Sequence, residues 1–289
     1  MALFMNDTKV KSVYWNNVKA KKVYFNNVLV LSGEFAFTYT GAYAVEGDMG
    51  GNFVIRFKTS GTLTITDAGN AASLDVFLVG GGGGAYGDVG GNDYGGGGGG
   101  YTKTTKKIEL KSNTAYQVIV GAGGAGNSYD VLRSSKGGDS SAFGVTANGG
   151  QSTYYASGKR YDVGDGGSGG GAKQKPGGSD GSDGTKYNAI TPGGKGQGTT
   201  TREFGGISGK LYAGGGGGGG KEGLFPAGGA GGGGTGLYLN VPEEKDTSRA
   251  NGAVNSGGGG GAVSYNGSSI DGIYGGSGGS GIVCIRNHR

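Results

Sequence analysis

Apolar and polar residues alternate along much of the chain between residues 34 and 148. The alternation is clearest over 35–40, 53–58 and 62–65, and a period of two is typical of strands with one buried face. Residues 76–79 are apolar at every position, which favours a central strand covered on both sides. No stretch shows the spacing of an amphipathic helix, so this part of the chain is predicted to be all-β.

Further alternating segments at 108–110, 116–120 and 141–147 predict additional strands of the same sheets. The last apolar segment, 282–285, follows a long glycine-rich region, and the sheet built upstream is its natural partner. We therefore predict a β-sandwich formed by residues 33–150 and closed by the C-terminal strand within 281–289.

Residues 10–31 contain a ten-residue repeat in which Val-Tyr-Trp-Asn-Asn-Val is followed by Val-Tyr-Phe-Asn-Asn-Val. Aromatic and β-branched residues favour strands, and Asn tolerates the positive φ of two-residue turns. The pattern predicts a small β-meander over residues 1–32. A meander of this size buries little surface by itself, so we expect it to serve attachment or assembly against a partner or the next domain.

Glycine forms uninterrupted runs at 80–84, 95–100, 214–220, 231–234 and 257–261. Such runs disfavour α-helix, provide no side chains for a sheet face, and lack the strict three-residue repeat of collagen. Two readings remain, a disordered linker or a bundle of polyproline-II-like rods whose bare backbones exchange hydrogen bonds. Aromatic and charged segments between the runs favour the bundle, which we predict over residues 151–280. The complete prediction is all-β plus polyglycine-II, with essentially no α-helix.

Composition narrows the functional classes. With Cys284 as the sole cysteine and His288 as the sole histidine of the sequence, disulfide frameworks, cysteine-based zinc sites and histidine-based catalytic pairs are disfavoured. The formal charge of +5 is concentrated in residues 1–31, so the glycine-rich region is not predicted to bind nucleic acid. No signal peptide or membrane-spanning segment is recognisable, which predicts synthesis in the cytosol and no membrane insertion. We expect no enzyme, no cofactor and no metal.

Two chemical alternatives remain open on the residues. The carboxylates of 179–184 could bind calcium, although a solvated turn is the favoured interpretation. Scattered Asp and Glu residues could also include a glycoside-hydrolysing pair, but no feature marks two of them.

The turns between the glycine runs are rich in aromatic and cationic residues. Rigid aromatic side chains supply contact area at a small entropic cost, so such turns are typical of binding loops, whereas the alternative is that they only cap the bundle. The candidate binding residues are Tyr154, Tyr155, Lys159, Arg160, Tyr161, Tyr187, Arg202, Phe204, Phe225, Tyr238, Tyr265 and Tyr274.

Four segments carry a resemblance to a known family. They are Leu-Val followed by five glycines at 78–84, Val-Ile-Val-Gly-Ala-Gly-Gly at 118–124, Ala-Asn-Gly-Gly at 147–150, and Gly-Ser-Gly-Ile-Val-Cys-Ile-Arg at 279–286. Over residues 33–289 the chain resembles the glycine-rich tail proteins of bacteriophages and prophages. It is more distantly similar to the T-even tail-fibre adhesins, whose polyglycine-II tip binds the bacterial surface through variable loops.

The resemblance implies a virion tail protein, a tail-fibre or tail-tip adhesin, assembled in the host cytoplasm without secretion. Its partners would be a host-surface glycan or protein and, through residues 1–32, other tail proteins. A homo-oligomer such as a trimer is left open. The alternatives are a structural spacer or shell protein and, less favoured, a polysaccharide-degrading tail enzyme or an ice-binding protein. The regular threonine or alanine row that ice binding needs is absent.

Simultaneous replacement of Tyr154, Tyr155 and Tyr161 by alanine tests the binding interpretation. If the cluster carries contacts, adsorption to host cells should weaken at least about tenfold, because truncated interface aromatics each cost about 1 kcal/mol or more. Cell binding and thermal unfolding would be measured together. Unchanged adsorption by a folded variant would contradict the assignment of this cluster.

Overall fold

The computed structural model describes residues 4–5, 8–9, 14–15, 18–19, 22–25, 28–32, 34–69, 71, 73–89, 94–127, 134–156, 160–240, 246–267 and 273–287. Within these residues the structure is all-β with no α-helix, as predicted from the alternation. A search of the same residues for a helix with the length and apolarity to span a bilayer finds none.

The strands are β1 (Phe4–Met5), β2 (Thr8–Lys9), β3 (Tyr14–Trp15), β4 (Val18–Lys19), β5 (Lys22–Phe25), β6 (Val28–Ser32), β7 (Ala36–Tyr39), β8 (Tyr43–Gly47), β9 (Phe53–Phe57), β10 (Gly61–Asp67), β11 (Ser73–Val79), β12 (Gly87–Val89), β13 (Thr102–Glu109), β14 (Thr114–Ile119), β15 (Ser140–Ala142), β16 (Val145–Ala147), β17 (Tyr154–Ala156), β18 (Arg160–Asp162), β19 (Leu237–Leu239), β20 (Val263–Tyr265) and β21 (Ile282–Asn287). Two short 3-10 turns span Glu203–Gly205 and Ser248–Ala250.

Two five-stranded antiparallel sheets form the sandwich. One has the order β16-β15-β14-β10-β7 and the other has the order β13-β11-β21-β9-β8. The buried core between them consists mainly of alternate residues of these strands, such as Ile55, Leu63, Val76, Val118 and Ile285. The period of two in the sequence is therefore the period of core-facing positions.

The C-terminal strand β21 lies in the middle of the second sheet. Cys284 pairs with Phe77 of β11 on one side and with Arg56 of β9 on the other. This placement confirms that the last apolar segment completes the upstream sheet. Because β21 is the fifth and last strand of the sheet in chain order yet occupies its centre, the sheet is incomplete until the whole glycine-rich region has been traversed.

The N-terminal strands pair as separate two-stranded hairpins, β1 with β2, β3 with β4 and β5 with β6. This differs from the single meander predicted for residues 10–31. In each repeat the residue before the Asn-Asn dipeptide pairs with the residue after it, Trp15 with Val18 and Phe25 with Val28. A two-residue connection closes each repeat on itself, which explains the difference.

The glycine runs form rods that bond to different neighbours in turn. The amides of Gly80 and Gly83 donate to one rod, at the carbonyls of Tyr101 and Gly98, over 3.0 and 2.8 Å. The amides between them donate to two other rods, and each assignment returns after three residues. Three residues per turn without internal hydrogen bonds is the geometry of a polyproline-II helix.

The carbonyls of the same rod accept hydrogen bonds from three further rods. The donor pairs are Gly150 with Thr153, Gly124 with Asn127, and Gly260 with Val263. Rod 80–86 therefore has six hydrogen-bonded neighbours, as in hexagonal packing of cylinders. The rods 94–101, 168–172, 213–220 and 257–263 are likewise each surrounded by six.

The described residues contain sixteen such rods. They are 80–86, 94–101, 121–127, 134–138, 147–153, 163–167, 168–172, 175–178, 182–186, 191–197, 213–220, 225–229, 231–237, 251–253 (which follows the 3-10 turn Ser248–Ala250), 257–263 and 273–281. The pattern is that of the ordered bundle rather than of a linker. Rods before residue 150 belong to the same lattice, so strands and rods alternate along the chain in the segment assigned to the sandwich.

Close approach of backbones explains the requirement for glycine. At nearly every interior position an added Cβ would overlap a carbonyl oxygen of the adjoining rod. At Gly217, for example, the obstructing oxygen is that of Pro226, and the amide nitrogen of Gly236 lies 2.8 Å from the added carbon. Backbone atoms of two rods cannot move apart without breaking several hydrogen bonds.

Replacement of Gly217 by alanine should therefore destabilise the protein by about 3 kcal/mol or more, the upper range for overpacking, because the displaced atoms are backbone. The matched control is Gly206→Ala, where the nearest atom to an added Cβ is 3.8 Å away and φ is −80°. Denaturant unfolding measures both. Equal stability of the two variants would contradict the lattice around Gly217.

Candidate functional site at the distal face

The sandwich fixes the direction of the lattice. Strands β11, β14 and β16 run directly into rods that lead away from the sandwich, and β13, β15 and β21 are entered from rods that return to it. The directions of the ten remaining rods follow from their order along the chain and from their hydrogen bonds to these six rods. We call the end of the lattice remote from the sandwich the distal face, and the end next to it the proximal face.

The connections of the distal face join outward rods to returning rods. In chain order they are 87–93, 128–133, 154–162, 173–174, 187–190, 221–224, 238–247 and 264–272. One of them, 128–133, lies wholly outside the described residues, as do parts of four others, at 90–93, 157–159, 241–245 and 268–272.

Two neighbouring connections expose apolar side chains. We define the distal patch as Tyr187, Ile190, Leu224 and Phe225, whose exposed fractions are 41%, 73%, 37% and 46%. Rod 175–178 lies between the rods that carry these residues and bonds to both sides, since Thr185 donates to the carbonyl of Pro176 at 3.1 Å and Gly177 donates to that of Ala227 at 3.1 Å. The two halves of the patch therefore stand on rods that share one neighbour, rod 175–178.

Both turns of the patch are held by local hydrogen bonds. The side-chain oxygen of Asn188 accepts from the amides of Ile190 and Thr191 at 3.0 and 2.8 Å. Lys221 and Leu224 exchange two backbone hydrogen bonds around Gly223, whose φ of 71° favours glycine. The exposed side chains thus project from tight turns on rigid rods.

A cation accompanies each exposed ring of the patch. The Nζ of Lys173 lies 5.9 Å from the ring centroid of Tyr187, and the Cζ of Arg249 lies 5.6 Å from that of Phe225. Contacts within about 6 Å are attractive through the ring quadrupole. Lys173, Ile190 and Arg249 were not among the residues proposed from the sequence, and their position at rod ends is the only signal that marks them.

The other sequence candidates near this face differ in exposure. Tyr274 is 52% exposed and Tyr238 is half-buried, whereas Tyr265 is 6% exposed and packs with Leu237 and Ile273. Tyr265 therefore stabilises the small parallel sheet β12-β20-β19 rather than presenting a contact surface.

The hairpin that carries the first tyrosine cluster also belongs to the distal face. Tyr154 and Tyr155 lie in β17, and Arg160 and Tyr161 lie in β18. Lys159 falls outside the described residues. The topology thus places the tyrosine cluster on the face that carries the distal patch.

Arg202 and Phe204 lie at the proximal face instead. Phe204 is 5% exposed and packs 5.8 Å from Phe77 of β11, with the guanidinium of Arg286 4.3 Å above its ring. Arg202 donates to Asp180 at 3.0 Å and to the carbonyl of Gly209 at 3.2 Å. Phe204 fastens its loop to the sandwich, whereas Arg202 ties the same loop to Asp180, and both residues lie at the end of the lattice opposite the distal patch.

The carboxylates considered for calcium are engaged by protein donors. Asp180 accepts hydrogen bonds from Thr200, Thr201 and Arg202, and the hydrogen bond from Thr200 is the main cause of its lowered pKa. Asp183 accepts from the amide of Gly196 at 2.8 Å. Among the described residues no group of His, Cys, Asp and Glu could hold a metal ion.

A part-buried ionic cluster joins the lattice to the outer face of the second sheet. The guanidinium of Arg56 donates twice to Glu203, each time over 2.7 Å, and once to Glu46 over 2.6 Å. The hydroxyl of Tyr212 donates to the same Glu203 carboxylate at 3.3 Å. Burial raises the pKa of Glu203, but the hydrogen bonds and charge of Arg56 outweigh burial and leave that pKa lowered.

Cys284 is fully buried beside this cluster, and burial holds the pKa of its thiol well above the usual value. Burial likewise raises the pKa of Tyr212. A protonated buried thiol is a poor nucleophile, so this cluster is suited to fastening the two parts of the fold rather than to chemistry.

The sequence matches the family described as "Glycine-rich domain" over residues 58–288. The chain belongs to this family. The match covers the lattice together with β10, β11, β13 to β16 and β21, so the family unit includes both rods and sandwich strands. A comparison with curated proteins gave no match.

The ionic cluster predicts a specific pH dependence for this glycine-rich domain. A carboxyl whose pKa is lowered by folding contributes stability above its unfolded pKa, and that contribution is lost as the pH falls through the folded pKa. Glu203→Gln should cost about 3 kcal/mol at pH 7 and should flatten the decline in stability below about pH 4.5. Glu222→Gln, on an exposed turn, is the control. Parallel pH profiles for wild type and Glu203→Gln would contradict this prediction.

Proposed function

We propose that this glycine-rich domain is a phage tail-fibre or tail-tip adhesin that binds a host-surface glycan or protein through its distal face. The proposal rests on one observation, that connections with exposed aromatic side chains lie at the end of the lattice opposite the sandwich. Rods anchored in the sandwich bring exposed rings to the one face of the lattice that is remote from the sandwich.

The lattice supplies the rigidity that such a face needs. Binding orders fewer degrees of freedom when contact side chains already stand on fixed supports, and the free-energy cost of association falls accordingly. Tyr187 and Phe225 follow rods whose amides are bonded to adjacent rods. Preorganised aromatic side chains in this setting suit recognition of a repeated surface receptor.

Residues 1–32 are the proposed attachment segment. Their strands form hairpins, and they contain five lysines against one aspartate, a balance that suits docking on acidic surfaces of other tail proteins. In this proposal the protein is assembled in the host cytoplasm and resides in the virion tail, with trimeric assembly still open.

A structural spacer is the second candidate function. The burial of Tyr265 and Phe204 favours this function, because buried aromatic residues at the ends of the lattice stabilise it by packing and are not available for binding. The exposed rings of Tyr187 and Phe225 favour binding, since a side chain that shields a bundle end should itself be covered. A polysaccharide-degrading enzyme has less support because, in the part of the distal face that the structure describes, no pair of carboxylates is brought together at the distal patch.

The double variant Tyr187→Ala/Phe225→Ala decides between adhesin and spacer. Fluorescently labelled protein would be titrated on a panel of bacterial strains by flow cytometry. We expect wild type to bind at least one strain and the variant to bind that strain at least about tenfold more weakly, with little change in melting temperature.

The matched control is Ile207→Ala/Val254→Ala, which removes two apolar side chains that are 96% and 79% exposed at the proximal face. It should bind as wild type does. Unaltered binding by the distal variant, or equal losses in both variants, would count against recognition through the distal face and in favour of the spacer.

A further inference from the structure

The distal patch combines exposed rings with an excess of positive charge. Five cationic residues lie at or beside the ends of the rods that surround the patch: Lys173, Lys175, Lys186, Lys221 and Arg249. The described acidic residues of the same connections are Glu222 and Asp246. Glu243, Glu244 and Lys245 of the connection 238–247 lie outside the described residues.

The cations are placed where a ligand on the rings would meet them. Lys173 and Arg249 approach the rings of Tyr187 and Phe225 to 5.9 and 5.6 Å, while both aromatic residues remain more than two fifths exposed. A change of side-chain rotamer would therefore bring the charge of Lys173 or Arg249 to a group stacked on the exposed part of the neighbouring ring.

An exposed aromatic ring beside a cation favours a ligand that has both an apolar face and a negative charge. A pyranose ring presents a face of C–H groups that packs on an aromatic ring, and its hydroxyls remain in water. A carboxylate or phosphate on that sugar would then form a charge-assisted hydrogen bond with lysine or arginine. A neutral sugar uses only the rings, and a simple polyanion uses only the cations.

We propose that the distal patch binds an acidic saccharide, one whose sugar rings stack on Tyr187 and Phe225 while its carboxylate or phosphate groups pair with Lys173 and Arg249. The inference rests on the proposed function, because it names the receptor class of the same face. It narrows that class to charged surface polysaccharides and disfavours neutral glycans.

A glycan array tests the class directly. The array holds acidic bacterial saccharides beside their carboxyl-reduced or dephosphorylated forms, at physiological salt so that distant charges are screened. We expect binding to members of the acidic set and at least about tenfold weaker binding to their neutralised partners. Binding to no acidic member, or equal binding to both forms, would overturn the proposal.

Two variants separate the contributions of ring and charge. Lys173→Gln/Arg249→Gln should lower affinity for acidic members about tenfold or more and leave the small affinity for neutral forms unchanged. Tyr187→Ala/Phe225→Ala should lower affinity for both forms. Inorganic polyphosphate, a polyanion without rings, is the charge-only probe, and binding of polyphosphate as tightly as the saccharides would overturn the proposal.

Cell binding keeps the two proposals distinguishable. If the distal ring variant loses cell binding while the array shows equal or exclusive binding to neutral glycans, the adhesin proposal stands and the acidic class is wrong. If cell binding is unaffected by the ring variant, the adhesin proposal itself fails.

Discussion

The hydrogen bond between bare backbones is the interaction on which this structure depends. A single amide–carbonyl bond contributes only about 0.5–1.5 kcal/mol net, and ordering a residue costs about 1–2 kcal/mol. A single rod in water is therefore unstable. Rods such as 80–86 and 213–220 are bonded on all sides, and only this complete pairing, with dense backbone contact, offsets the ordering of so many glycines.

The sandwich aligns the rods of the lattice. Six of its strands are continuous with rods, and the pairing of these strands in the sheets places those rods side by side. Phe204 and Tyr212 then cover the outer face of the second sheet, with Arg56 and Glu203 paired beneath them. The apolar core and the lattice are thus parts of one fold, and the central position of β21 requires both.

The position of the exposed connections follows from the same geometry. Because rods are rigid and each outward rod is followed by a returning one, the connections between them accumulate at one end while the sandwich occupies the other. The side chains of a turn such as 221–224 lie outside the buried apolar clusters, so the exposed residues are separate from those that support them.

Some of the candidate site could be predicted from the sequence and some could not. Tyr187 and Phe225 were identifiable because aromatic residues in polar turns stand out between glycine runs. Lys173 and Arg249 were not, since a lysine or arginine near a rod end looks the same as any solvated charge. Phe204 and Phe225 are indistinguishable by residue type and setting, yet one packs against Phe77 and the other is 46% exposed.

The sequence by itself determined most strands of the sandwich, through the alternation of buried positions, and determined that the glycine runs form neither helix nor sheet. It also determined that the C-terminal strand returns to the upstream sheet. It did not predict β8 or the short strands β12 and β17 to β20. The tertiary structure decided which rods are neighbours, which direction each rod takes, and therefore which turns share a face. The physical reason is that glycine carries no side chain, so a backbone hydrogen bond between two rods leaves no pattern in the residues that form it.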